Sequence, residues 1–143
     1  LDVPFFELDR EIERLAGTSI GSVLELYGQQ AYRRYELHAL EQLLAEQPRF
    51  VVATGGSLVS ETVTYELLLK TCFTVWVKTT PEEHMQRVLA QGDLRPMAGS
   101  QQAMDDLQRI LEERSELYGR ADLTIDTTDL PVEEAVRLLM AQF

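Results

Sequence analysis

The sequence has little of what marks several large classes of protein. Cys72 is its single cysteine, so an internal disulfide is excluded. Because Cys72 sits in an apolar run, we expect a buried, unreactive thiol rather than a nucleophile. No apolar run approaches the roughly 20 residues that span a bilayer, and the first residues lack the basic-then-apolar pattern of a secretory signal. These absences favour a cytoplasmic protein without a membrane partner.

Basic residues are also scarce. The 143 residues include 13 lysines and arginines against 24 aspartates and glutamates, which gives a formal net charge of −11. Phosphate contacts need clustered lysines and arginines, so this chain is not expected to bind DNA by itself. A small anionic ligand is not excluded, because a local pair of arginines can override the global field. The length predicts one domain, residues 1–143, with a single core.

Apolar strands and helical segments alternate along the chain. We predict strands at Val3–Phe6, Phe50–Thr54, Cys72–Val77 and Leu123–Asp126. Such strands, separated by helices, are typical of a parallel sheet covered on both faces, which is a three-layer α/β fold. The second and third strands are the most apolar, so we expect them to be the most buried. Ligands in such sheets bind at the carboxyl ends of the strands.

The second of these strands ends in two adjacent glycines, Gly55 and Gly56, which are followed by Ser57. Glycine tolerates backbone angles that other residues avoid, and it lets a ligand approach the main chain. The pair therefore indicates either a tight strand-to-helix turn without a ligand or one wall of a binding site.

Charged residues project to the same edge if the sheet is parallel: Glu7, Asp9, Arg33, Arg95 and Arg114. Arg33 and Arg114 offer planar groups that match a carboxylate or a phosphate, and Asp9 can accept hydrogen bonds from hydroxyl groups. Together they predict a pocket for a small anion. The structural alternatives are a helix cap for Asp9, a solvated helix residue or a pair with Glu36 for Arg33, and a pair with Glu113 or Glu116 for Arg114.

At four places the chain resembles the shikimate kinase family. The first is FFELDREIERLAGTSIGSVLELYGQQAYRRYELHAL, where the family reads approximately F-x-D-x-D-x-x-I-E, then G-x-S-I, then G-E-x-x-F-R-x-x-E. The turn ATGGS resembles the family's Gly-Gly-Gly turn. The segment GDLRPMAG resembles its lid loop, about residues 92–103, and RSELYGRADLTIDT resembles its R-x-x-L-Y…A…D-T ending. The resemblance covers essentially the whole chain and implies a P-loop NTPase-like fold.

The resemblance implies a substrate site. Asp9 matches the aspartate that holds the shikimate hydroxyls and is a candidate base for the hydroxyl that is phosphorylated. Arg33 and Arg114 match the arginines that grip the shikimate carboxylate. Gly55 and Gly56 match the backbone that lines the substrate.

Further roles follow from the same resemblance. Arg95 matches the lid arginine that reaches the transferred phosphate, and Glu36 matches the glutamate that orients the first arginine. Glu7 stands where the family has an aspartate near magnesium. Ser57 replaces the third glycine of the turn and adds a side chain at the substrate wall.

One family motif does not occur in the printed sequence. It is G-x-x-x-x-G-K-[S/T], whose amides and lysine hold the ATP phosphates. We expect the chain to begin just after the first strand, phosphate loop and first helix of the fold. The strands at Phe50–Thr54 and Cys72–Val77 should then flank the slot of the absent strand, and the chain as printed should not bind ATP.

Two runs point to a particular branch of the family. YELLLKTCFTVWVKTTPEEHMQRV and AQGDLRPMAGSQQAMDDLQRIL resemble the C-terminal domain of benzoate-catabolism regulators of the BzdR/BoxR type, in which a helix-turn-helix domain precedes a shikimate-kinase-like domain. This resemblance predicts a domain that senses an aromatic acyl-CoA such as benzoyl-CoA. DNA would be bound only through a helix-turn-helix domain outside the printed chain, and such repressors commonly act as homodimers. The alternative is a shikimate kinase that phosphorylates the 3-hydroxyl of shikimate with ATP and Mg²⁺.

Overall fold

The computed structural model describes residues 2–90 and 101–143, which combine helices with parallel strands. The α/β fold expected from the sequence is therefore confirmed. The chain divides into two compact units, Leu1–Cys72 and Phe73–Phe143. Among the described residues, none of the helices is both long enough and apolar enough to cross a bilayer.

The first unit is built around a parallel pair of strands and a long helix. Its elements are β1 (Phe5–Glu7), α1 (Leu8–Ala16), α2 (Ile20–Glu46), β2 (Val51–Ala53), a 3₁₀ helix (Gly56–Ser60) and α3 (Thr62–Thr71). Phe6 of β1 lies opposite Val52 of β2. Buried side chains of α1, α2 and the 3₁₀ helix form the core, among them Leu8, Ile12, Leu40 and Leu58.

Helix α2 changes direction at Gly28. This residue has φ 86° and ψ 176°, which is a conformation that glycine adopts without a steric penalty. At the start of the helix, the Ser19 hydroxyl accepts a hydrogen bond from the Ser22 amide at 3.1 Å and so satisfies one of the unpaired donors of the first turn. The stretch after Gly28 carries the candidate site residues of this helix.

The second unit contains the other parallel pair. Its elements are β3 (Val75–Lys78), α4 (Pro81–Ala90), α5 (Gln101–Tyr118), β4 (Leu123–Asp126) and α6 (Val132–Met140). Val75 lies opposite Leu123. Just before the strands, the Asp122 carboxylate accepts hydrogen bonds from the Thr74 amide at 2.7 Å and from its hydroxyl at 2.9 Å. These bonds lower the pKa of Asp122 and tie the starts of the two strands together.

Two expectations about the strands are wrong. The residues of β2 (51–53) and β3 (75–78) are half-buried or exposed, whereas these strands were expected to be the most buried. Val77, for example, is 60% exposed. Most of the buried apolar side chains belong instead to helices of the first unit. The third strand begins at Val75 and not at Cys72, because the Cys72 amide still bonds the Leu68 carbonyl and ends α3. Cys72 is accordingly half-buried rather than buried.

The strand pairing does not test the expected slot for an absent strand between β2 and β3. β2 pairs with β1, and β3 pairs with β4. The proposal that β2 and β3 flank a slot concerns the relation between the two units and stays a prediction. Of the expected lid at about 92–103, residues 92–100 lie outside the described part, and residues 101–103 begin α5.

The packing of α2 gives a direct test of the first unit's core. Leu40 is fully buried, whereas Leu26 of the same helix is 69% exposed. Leu40→Ala should lower the free energy of unfolding by about 2–5 kcal/mol, because it removes buried apolar atoms and leaves a cavity. Leu26→Ala is the matched control and should change it by less than about 0.5 kcal/mol. Urea unfolding of both variants checks this, and equal losses would contradict the core described here.

Candidate functional site

The candidate site begins where β1 passes directly into α1. Asp9 lies in the first turn of this helix, exposed to solvent, next to the fully buried Leu8. Glu7, not Asp9, is the residue that precedes the helix, and its side chain makes no capping bond. The helix-cap interpretation of Asp9 therefore finds no support. A carboxylate in the first turn is stabilised by the positive end of the helix dipole.

Tyr32 of α2 faces this carboxylate. Its hydroxyl oxygen lies 3.5 Å from Asp9 Oδ1, a long contact, and donates toward it. Burial, and next the negative charges of Asp9 and Glu36, raise the pKa of Tyr32 to about 12. The hydroxyl therefore remains protonated at any physiological pH and acts as a donor to the carboxylate.

The turn that contains Gly55 lies next to Asp9 and Tyr32. A β-carbon added at Gly55 would lie 4.0 Å from both Asp9 Oδ1 and the Tyr32 hydroxyl. Gly55 has φ −67° and ψ 147°, an extended conformation that any residue can adopt. Backbone strain thus does not explain the glycine here. Its missing side chain instead keeps space open beside the carboxylate and the hydroxyl.

Arg33 lies beside Tyr32 and is nearly buried, with 12% of its side chain exposed. Its Nη1 donates to Glu36 Oε1 at 2.9 Å, so the pairing named as its structural alternative exists. Its Nε lies 3.3 Å from Glu61 Oε1, on the residue that precedes α3. The guanidinium also stacks over the Tyr32 ring, 5.1 Å from the centroid. A solvated helix residue would not be held in this way.

Glu36 is the most deeply buried charged residue described, with only 1% of its side chain exposed. Burial raises its pKa, although the hydrogen bond and the charge of Arg33 act in the opposite direction. Its Oε2 has no hydrogen-bond partner within the described residues. Sequence reasoning assigned this residue to orienting Arg33, and its short contact with the guanidinium supports that assignment.

The structure brings some of the predicted site residues together and leaves others apart. Asp9, Gly55 and the Tyr32–Arg33 pair converge in the first unit. Gly56 and Ser57 follow as the first residues of the 3₁₀ helix. Glu7 is exposed and pairs with Arg10 at 3.5 Å.

The contacts of the first unit do not test the remaining two predicted residues. Arg114 lies half-buried on α5 in the second unit, and its convergence on the site stays a prediction. Arg95 lies outside the described residues.

Sequence reasoning missed two residues of this site, Tyr32 and Glu61. A signal for Tyr32 was present, because the family motif quoted above has phenylalanine immediately before the arginine. Tyrosine there adds one hydroxyl group in a nearly buried position, which calls for a polar partner. Glu61 gave no such signal, because 28 positions separate it from Arg33 in the sequence.

A bound nucleotide and metal would need more than these residues supply. The printed sequence has no phosphate-loop motif. Within residues 2–90 and 101–143 there is no group of three or more His, Cys, Asp or Glu side chains that could hold a metal ion. The groups that converge in the first unit are a carboxylate, a hydroxyl and a guanidinium, and these suit a molecule with hydroxyl and carboxylate groups.

Comparisons with known proteins agree with one of the two sequence hypotheses. A family model described as "Shikimate kinase" matches residues 1–143. The shikimate kinase of Bradyrhizobium diazoefficiens is 33% identical over 145 residues, which cover 99% of this chain and 69% of that protein. The shikimate kinase of Zymomonas mobilis is 33% identical over 136 residues, which cover 95% and 76%.

Solved structures give the same result. The shikimate kinase from Acinetobacter baumannii in complex with shikimate superposes with a TM-score of 0.81 at 27% identity, covering 97% of this chain and 78% of that one. The structure from Bacteroides thetaiotaomicron has a TM-score of 0.82 at 22% identity, covers 99% and 84%, and speaks for the fold alone. The predicted P-loop NTPase-like fold is confirmed.

The prediction of an effector domain that senses benzoyl-CoA in a transcriptional regulator is wrong. The relatives that match nearly the whole chain are named as kinases. The first of the two runs behind that prediction, residues 65–88, forms parts of α3, β3 and α4. Because these elements build the fold, their sequence does not separate a regulator from an enzyme.

The raised pKa of Glu36 predicts a pH dependence of stability. A carboxyl group whose pKa is higher in the folded state contributes stability below its unfolded value and loses it as the pH rises through the folded value. Relative to Glu36→Gln, which cannot ionise, the wild type should therefore lose free energy of unfolding as the pH rises from about 4. Urea unfolding across this range measures the difference. Glu41→Gln, on the exposed side of α2, is the control, and its free energy of unfolding should follow the same pH dependence as that of the wild type. If Glu36→Gln also followed the wild-type pH dependence, the prediction would be wrong.

Proposed function

The chain belongs to the shikimate kinase family, and we propose that it binds shikimate for phosphorylation of the 3-hydroxyl by ATP and Mg²⁺. The observation that carries this proposal is the convergence of the Asp9 carboxylate, the Tyr32 hydroxyl and the open space at Gly55 next to the guanidinium of Arg33. A ligand with adjacent hydroxyl groups and one carboxylate matches these groups. The Acinetobacter baumannii relative was solved in complex with shikimate, which supports the same substrate.

Asp9 is the residue that we assign to the hydroxyl groups. Its carboxylate is exposed and can accept hydrogen bonds from two hydroxyls at once. The same oxygen atoms can take the proton from the 3-hydroxyl as that oxygen becomes the nucleophile. The Tyr32 hydroxyl donates toward one carboxylate oxygen of Asp9 and so limits the orientations of that side chain.

Arg33 is the residue that we assign to the carboxylate. A planar guanidinium matches two carboxylate oxygens, and burial strengthens the attraction because less water screens it. Glu36 fixes the guanidinium from one side at 2.9 Å. Arg114 is proposed as the second arginine on the same carboxylate. Gly55 and Gly56 let the ring of the substrate approach the main chain, and Ser57 adds a hydroxyl beside it.

ATP and Mg²⁺ would supply the transferred phosphoryl group and its charge neutralisation. Arg95, which the resemblance assigns to that phosphate, lies outside the described residues. Glu7, which the resemblance assigns to the neighbourhood of the metal, is exposed beside Arg10. The proposal for this chain's own residues therefore concerns binding, orientation and the proton of the 3-hydroxyl.

The role of Arg33 can be tested by binding alone. Arg33→Ala should weaken shikimate binding by roughly tenfold or more, because a charge-assisted contact contributes about 1.5–3 kcal/mol. Arg34→Ala, which removes the exposed neighbouring arginine, should leave the affinity unchanged. Isothermal calorimetry on the full-length product of the gene measures both. Equal affinities for wild type and Arg33→Ala would remove Arg33 from the site.

The role of Asp9 needs turnover. In the full-length product, Asp9→Asn should lower kcat by about 10²–10⁴-fold, because the amide keeps the shape but cannot take a proton. ADP release coupled to a spectroscopic assay gives the rate, with Arg10→Gln as an exposed control on the same turn. A full-length product that binds shikimate but never phosphorylates it would defeat the enzyme proposal.

A further inference from the structure

The buried guanidinium of Arg33 contacts a carboxylate that is poorly placed to bond it. Arg33 Nε is buried, and Glu61 Oε1 lies 3.3 Å away, close enough for an ion pair. The geometry is not that of a hydrogen bond, however, and Nε makes none within the described residues. A buried charged donor left in this state is costly, so this edge of the guanidinium is better suited to another partner.

Glu61 differs from Glu36 in how it is held. Glu36 has 1% of its side chain exposed, whereas Glu61 has 41%. The backbone of Glu61 is fixed, since its amide donates to the Leu58 carbonyl at 2.9 Å and its carbonyl accepts from the Tyr65 amide at 2.8 Å. Its side chain makes no capping bond to α3. A rotation of the side chain alone would therefore carry the carboxylate from Arg33 into water.

The negative charges around Arg33 would oppose an incoming carboxylate, and a rotation of the Glu61 side chain would reduce them. Asp9, Glu36 and Glu61 all act on the same small region, and with all three ionised they outnumber the single guanidinium. An incoming carboxylate would then meet a net negative environment. Movement of Glu61 into solvent removes one of these charges and exposes the edge of the guanidinium that it covered.

We propose that Glu61 occupies the carboxylate subsite of Arg33 in the absence of substrate, and that the carboxylate of shikimate displaces it on binding. This rests on the proposed function and adds a specificity-determining residue to it. A ligand with the same hydroxyl groups but without a charged carboxylate cannot displace Glu61 by ion pairing. Glu61 thus makes the site selective for an acid at some expense in affinity.

The test compares two ligands on the full-length product by calorimetry. They are shikimate and its methyl ester, which keeps the hydroxyl groups but carries no charge. Glu61→Gln should lower the dissociation constant for shikimate by about two- to fivefold, the range expected for loss of a half-exposed competing ion pair. The dissociation constant for the ester should stay the same. Glu41→Gln removes an equal charge from the exposed face of α2 and should change neither.

Other outcomes overturn the proposal. A higher dissociation constant for shikimate in Glu61→Gln would mean that Glu61 holds Arg33 in place for the substrate. Equal gains for both ligands would indicate an effect that does not depend on the charge of the ligand, and no change would mean that Glu61 plays no part. Failure of the proposed function is distinct: shikimate would then not bind the wild type, or Arg33→Ala would not weaken it. In that case the role of Glu61 falls too.

Discussion

The candidate site depends on one nearly buried cation, the guanidinium of Arg33. Removing such a charge from water costs several kcal/mol unless nearby groups compensate it. Glu36 supplies a short hydrogen bond, Glu61 a looser ion pair, and the Tyr32 ring a stacking surface. Because Tyr32 and Arg33 are neighbours on α2, the contacts that fix the cation also bring the Tyr32 hydroxyl to Asp9. One helix turn therefore links the acidic and the basic halves of the site.

This arrangement explains how a chain with a net charge of −11 can bind an acid. The global field opposes an anion, but it is screened within about 10 Å at ordinary ionic strength. Binding depends on the balance of charge close to Arg33, and two features of the site favour the binding of an anion there. The guanidinium is nearly buried, so water screens its charge only weakly, and the half-exposed side chain of Glu61 can turn into solvent.

Much of the fold could be predicted from the sequence, whereas the details of the site could not. The parallel α/β order followed from apolar segments that alternate with helical ones, and Asp9 and Arg33 followed from the motifs that surround them. The start of β3 was placed three residues too early because an apolar run does not show where a helix stops bonding. Glu61 was missed because its contact with Arg33 is made by folding and not by spacing. The regulator hypothesis was wrong because it relied on segments that build strands and helices rather than on residues that touch a ligand.

The most direct test of a shikimate site at Arg33 follows the Nε–H signals of the arginines by NMR while shikimate is added. The signals of Arg33 and Arg34 are first assigned by substitution. We expect the Arg33 Nε–H resonance to move as the ligand carboxylate replaces Glu61 at that nitrogen, while the signal of the exposed Arg34 stays in place. A shift at Arg34 with no shift at Arg33 would place the ligand in the open depression of about 390 Å³ that Arg34 lines with Tyr27, Tyr35 and His38, and would contradict a shikimate site at Arg33.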